Sequence, residues 1–160
     1  MARLKAKKAS YMSKAFVKED TDGSAEVLPD REMSPHANLV TADGLAQIEA
    51  TIAKLQKDQA NSSEGGALSV TRDLRYWTAQ RATAQLTPDS DASHVKFGSR
   101  VKVERDDGRK ETYRIVGMDE ADPKRGTLSY VSPLAQALMD REVGDRIEVG
   151  GTRREIIEIS

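Results

Sequence analysis

A chain of 160 residues with 38% hydrophobic and 4% aromatic side chains against 32% charged ones is too lean to fill one core along its whole length. It fits a small globular domain with an appendage. Its 25 basic and 26 acidic residues leave a net charge of −1, which excludes bulk attraction to nucleic acid, and the lack of cysteine excludes disulfides, thiolate metal sites and cysteine nucleophiles.

Residues 1 to 40 show neither helical nor strand periodicity and are punctuated by Asp22-Gly23, Pro29 and Pro35, which predicts an extended or disordered leader. Arg3, Lys5, Lys7 and Lys8 make its tip basic, read as a solvated tail, while Glu19, Asp20 and Glu32 make the following stretch acidic. Met12 is a plausible alternative start.

From Thr41 the pattern changes. Leu45, Ile48, Ile52 and Leu55 recur at helical spacing, with Thr41 or Asp43 suited to cap the first turn, and Asn61 to Gly66 collects turn formers that end the helix. A second helical pattern from about Ala67 to Leu86 carries Val70, Leu74 and Trp77 on one stripe. So short a connection predicts an antiparallel helical hairpin over 41–87, with arms roughly 27 to 30 Å long at ~1.5 Å per residue. Residues 88–94, with Pro88, Asp89, Ser90 and Asp91, form a linker.

Residues 95–160 hold short β-branched runs around Val101, Val103, Tyr113, Ile115, Ile147, Val149 and Ile156. Asp107-Gly108 marks a hairpin between strands at 100–105 and 111–116, and Ser132-Pro133 supplies the cap and first position of one short helix. The fold class is therefore α+β, a helical hairpin followed by an antiparallel-sheet domain.

A search for chemistry returns little. His36 and His94 lack metal-ligand spacing and read as loop residues, no serine or threonine has a base partner, and the glycines form no phosphate loop. No metal site is expected. No stretch approaches the ~18 apolar residues of a membrane span, and no signal-peptide pattern opens the chain, which predicts a cytoplasmic protein without a membrane partner.

Four segments in register nevertheless resemble the C-terminal domain of the GreA/GreB transcription elongation factor family. They are Val95 to Val103, Tyr113 to Asp122, Ser132 to Leu138, and Val143-Gly144-Asp145. Upstream, Leu39 to Leu45 resembles the opening of that family's coiled coil and Arg72 to Trp77 part of its returning arm. The resemblance implies an FKBP-like C-terminal domain that docks on RNA polymerase at the rim of its secondary channel, with the hairpin inserted there and contact with the transcribing DNA/RNA complex only indirect. Asp119, Glu120, Asp122, Lys124, Ser132 and Pro133 lie where it is densest and are the expected docking residues.

In cleavage-stimulating members, acids at the hairpin tip help hold the polymerase's catalytic magnesium, so the factor needs no cofactor of its own and is not itself an enzyme. The familiar tip acids are absent. Asp58 and Glu64 are the acids nearest the turn, and each arm is shorter than in cleavage factors by about ten residues, ~15 Å of reach. Short-armed relatives resembling Rnk are the better comparison. The expectation is a regulator of elongation without efficient transcript cleavage. The alternatives are a cleavage factor using Asp58 and Glu64, a peptidyl-prolyl isomerase, which needs an aromatic-lined pocket from Phe97, Tyr113 and Tyr130, and a helical scaffold module.

Overall fold

Thr41 has an extended backbone (φ −80°, ψ 168°), and its hydroxyl oxygen accepts from the Gly44 amide at 3.0 Å. That bond satisfies one of the donors that a helix leaves open in its first turn. In the computed structural model, which describes residues 27–88 and 91–160, a helix α1 then runs Ala42–Asn61 and a second, α2, runs Glu64–Thr83. Each has 20 residues, hence a length of about 30 Å. Near the turn the Gln59 amide donates to Thr71 at 3.2 Å, and near the root Arg81 pairs with Glu49 at 2.8 Å, the register of two antiparallel arms.

The turn is tighter than the composition of 61–66 suggests. Only Ser62 and Ser63 leave the helical conformation, and Gly65 and Gly66 lie in the first turn of α2. Glycine costs about 1 kcal/mol relative to alanine inside a helix, an amount the packing of a long arm can offset. The other end also differs from expectation. The helix stops at Thr83, and Gln85–Leu86 (β2) pairs in parallel with Leu39–Val40 (β1), so the chain enters and leaves the hairpin through one small ladder. Ile48 is buried between the arms, while Leu45, Ile52, Leu55, Val70, Leu74 and Trp77 are half-buried, as expected of two arms with no third layer.

Five strands build the C-terminal sheet: β3 (Arg100–Arg105), β4 (Lys110–Val116), β5 (Thr127–Ser129), β6 (Arg146–Val149) and β7 (Thr152–Ile159), in the order β5-β4-β3-β7-β6. Three of the four pairings are antiparallel. The fourth, β4 with β5, is parallel, a correction to the all-antiparallel expectation. The crossover from β4 to β5 passes through two single-turn 3-10 helices, Met118–Glu120 and Pro123–Arg125, which lets β5 run alongside β4 without a full helix. The short helix α3, Pro133–Leu138, has Ser132 accepting from Ala135 N–H at 3.3 Å, with proline first, as its sequence indicates.

Val101, Val103, Ile115, Leu128, Ile147, Ile156 and Ile159 on the sheet, together with Val95, Phe97, Ala135 and Leu138, form one buried core. Residues 27–38 carry no ladder, and their last two positions are tied down, since Asn38 donates to the Gln80 carbonyl at 2.8 Å and Tyr130 donates to the Ala37 carbonyl. The basic tip, Met12 and the acids Glu19, Asp20 and Asp22 lie outside the described residues, as do Asp89 and Ser90 of the linker.

Candidate functional site

Three groups of side chains meet where the hairpin joins the sheet domain. Glu120, at the end of the first 3-10 turn, is half-buried, and its carboxylate accepts from the Thr41 amide at 3.2 Å, from the Gly117 amide at 3.0 Å, and from the Thr41 hydroxyl. The residue that caps α1 is thus itself held by the sheet domain. Beside it, Arg114 on β4 pairs with Asp43 at 2.9 Å, and on the other arm Tyr76 donates its hydroxyl to Asp119 at 2.9 Å. Burial, then the hydrogen bond and charge of Asp119, raise the Tyr76 phenol above its ordinary range, so it remains a donor at neutral pH.

Two glycines make this close approach possible. A Cβ on Gly44 would lie 2.0 Å from the Glu120 carboxyl carbon, and one on Gly117 would lie 2.4 Å from the Leu39 carbonyl oxygen. Neither position takes a larger residue without opening the joint.

Of the residues singled out in the sequence, the structure gathers Asp119, Glu120, Asp122 and Lys124 into the crossover loop. Asp122 caps its second turn, accepting from Lys124 N–H at 3.1 Å, and Lys124 is exposed. Pro133 is exposed at the start of α3 and Ser132 uses its hydroxyl as the cap. Asp119 and Glu120 have their carboxylates engaged by the hairpin, which the sequence does not reveal, because their partners lie 43 and 79 residues away.

The tip is a separate place. Asp58 lies on the last turn of α1 and Glu64 is the first residue of α2, both exposed, on either side of Ser62-Ser63. Among the described residues neither carboxylate has a hydrogen-bond or ion-pair partner, and no three His, Cys, Asp or Glu side chains are grouped to hold a metal. His94 pairs with Glu142 at 2.8 Å on the surface, and His36 sits in the exposed segment before β1.

Two of the cavities have mainly polar walls. One of about 470 Å³ lies beside the joint, lined by Asp43, Gln47, Arg114, Glu120 and Arg125, and another of about 310 Å³ lies among Arg105, Arg146, Arg153 and Arg154. The aromatic side chains needed for a prolyl-isomerase pocket are used elsewhere. Phe97 is buried in the core with its ring edge-on to Tyr130, centroids 5.8 Å apart, and Tyr113 donates to Glu111 at 2.7 Å.

Glu111 also receives Arg105 and Arg154, each at 3.2 Å. Partial burial pushes its carboxyl up, but the Tyr113 hydroxyl and the two guanidiniums outweigh that, and the net shift is downward.

Comparison with known proteins bears on this arrangement. Residues 90–160 match the family described as transcription elongation factor GreA/GreB, C-terminal domain. The chain is 43% identical over 107 residues to transcription elongation factor GreA of Rhizobium leguminosarum bv. trifolii, covering 64% of this chain and 65% of that protein. It is 43% identical over 99 residues to GreA of Sinorhizobium medicae, covering 59% and 60%. The chain thus spans about 65% of the length of the first of these relatives.

The fold also aligns with GreA factor homolog 1 of Thermus thermophilus at a TM-score of 0.41 and 14% identity, over 78% of this chain and 99% of that one. A GreA/GreB factor of Nitrosomonas europaea aligns at 0.40 and 18%, over 76% and 98%. Residues 90–160 thus carry a segment similar to the GreA/GreB C-terminal domain, and the likeness to GreA factors extends over 64% of the chain.

Proposed function

We infer that this chain is a cytoplasmic regulator of transcription elongation that binds RNA polymerase, docking by its C-terminal domain and placing the hairpin in the secondary channel. The supporting observations are the match to the family's C-terminal domain at 90–160 and the hydrogen-bonded joint that holds the hairpin on it. Docking is assigned to the crossover loop and the start of α3, where Asp122, Lys124, Ser132 and Pro133 lie, with Asp119 and Glu120 behind them holding the hairpin. In this reading the polymerase supplies the active site and whatever metal the chemistry needs.

The observation that carries the absence of efficient cleavage is the tip. Mg²⁺ demands direct ligands at ~2.0 to 2.1 Å in near-octahedral geometry. Asp58 and Glu64 stand on different helices with no contact to orient either carboxylate, and arms of about 30 Å limit their reach.

A stalled, backtracked elongation complex tests the reading, with cleavage measured for the wild type and for the double variant Asp58→Ala/Glu64→Ala. Near-background rates for both, together with displacement of a long-armed Gre factor, are expected. Rapid cleavage by the wild type that vanishes in the variant would make the tip functional in catalysis, and failure to bind core polymerase at micromolar concentration would remove the whole reading.

A further inference from the structure

On α2, beside the crossover loop, an arginine from the segment before β1 sits against two aromatic rings. The Arg31 guanidinium lies 3.8 Å from the centre of the Tyr76 ring and 5.9 Å from that of Trp77, and 3.7 Å from the Asp73 carboxylate. The two rings meet edge to face, centroids 5.3 Å apart, so they form a fixed corner. Aromatic faces plus a carboxylate, here shared with Arg72 at 3.3 Å, suit a guanidinium, which stacks on rings and pairs with planar acids.

The segment that delivers Arg31 is weakly held around it. Residues 27–36 make no backbone ladder, Val27 and Met33 are exposed, and the neighbouring pair Asp30–Arg75, at 2.9 Å, is open to solvent. Exposed ion pairs of this kind contribute little to holding a chain in place.

We propose that the Asp73, Tyr76 and Trp77 face of α2 is a docking site for an arginine-bearing extended segment of a partner protein, and that Arg31 occupies it in cis until the partner displaces it. The occupant is argued from the ligand already seated, an extended Asp-Arg peptide. The site is wired to the joint, because the ring under Arg31 belongs to the tyrosine whose hydroxyl holds Asp119. Loss of the occupant therefore changes the surroundings of the side chain that holds the loop assigned to docking. Only the partner's identity as RNA polymerase rests on the reading above.

Trp77 is the sole tryptophan of the chain, so its fluorescence reports the clamp directly. The experiment uses the full-length variant Asp30→Ala/Arg31→Ala, folded as judged by circular dichroism, titrated with a blocked peptide of residues 28–32. A saturable change in Trp77 emission is expected, at least fivefold weaker with a peptide in which the arginine is alanine, and lost when Asp73→Asn is added to the protein. No saturable change, or equal binding of both peptides, overturns the proposal.

In a second arm, the Asp30→Ala/Arg31→Ala protein is expected to bind core RNA polymerase severalfold more tightly than the wild type. Equal affinity would overturn displacement by the polymerase. Absence of binding by either protein, with the peptide result intact, would instead sink the polymerase reading and leave the arginine site standing.

Discussion

The carboxylate of Glu120 takes both the amide and the hydroxyl of Thr41, a residue 79 positions earlier in the chain, so the cap of the first hairpin helix is gripped by the domain that follows it. Hydrogen bonds to a charged acceptor contribute ~1.5 to 3 kcal/mol, and a buried donor left without a partner costs a similar amount. Glu120→Ala is therefore expected to lower stability by about 1 to 3 kcal/mol. Glu120→Gln, which keeps one acceptor, should lose less. Urea denaturation measures both. A spin-label pair on Asn61 and Lys102 should show a broadened distance distribution in the alanine variant, and an unchanged distribution would mean that the other joint contacts suffice.

Glycines at two places on the hairpin should respond in opposite directions to the same substitution. Gly44→Ala drives a methyl to within 2.0 Å of the Glu120 carboxyl and is expected to destabilise the protein by opening the joint. Gly65→Ala meets nothing within 4 Å and lies in a helix, so it should stabilise by up to about 1 kcal/mol. Thermal melts of the two variants beside the wild type check this, and equal shifts would refute the close-approach argument.

Acid should weaken the sheet domain partly through Glu111. Its folded-state carboxyl titrates below the ordinary value of 4.5, so its contribution to stability is complete above that value and is lost as pH falls through the lower folded value. The difference in stability between wild type and Glu111→Gln is expected to be largest near neutrality and to shrink below pH 4.5. Denaturant midpoints at several pH values measure it. A difference that grows on acidification would reverse the sign.

The left-handed residue after α3 gives a fourth prediction. Asp140 has φ 61°, a conformation that non-glycine residues enter at some cost, and it is exposed. Asp140→Gly relieves that strain but frees the unfolded chain, so the net change should be a stabilisation below about 1 kcal/mol. A clear loss of stability would show that the aspartate side chain contributes more than its backbone conformation costs.

Much of this architecture is legible in the residues because it is local. The spacing of Leu45, Ile48, Ile52 and Leu55, the Asp107-Gly108 turn and the Ser132-Pro133 start each act within a few positions, and each produces the element its pattern indicates. What the sequence does not show is non-local. Glycine usually ends a helix, yet Gly65 and Gly66 stay in α2, while Ala84 leaves it where the Gln85–Leu86 ladder to β1 begins.

The same holds for the joint. The density of family residues from Asp119 to Asp122 marks the loop as important, but no spacing rule pairs Glu120 with Thr41 or Asp119 with Tyr76. Nor would composition place Gln80, a polar residue, at 3% exposure at the hairpin root.

Because β1 and β2 bring the chain in and out of the hairpin side by side, the arms behave as an insertion with both ends anchored at one point. Their length is then a free variable of the design. Seven residues added to each arm would keep the same faces in contact and move the tip outward by ~10 Å, leaving Thr41, Glu120 and every contact of the sheet domain where they are. Reach and anchorage are separate parameters in this protein, and a lineage or an engineer can set one without disturbing the other.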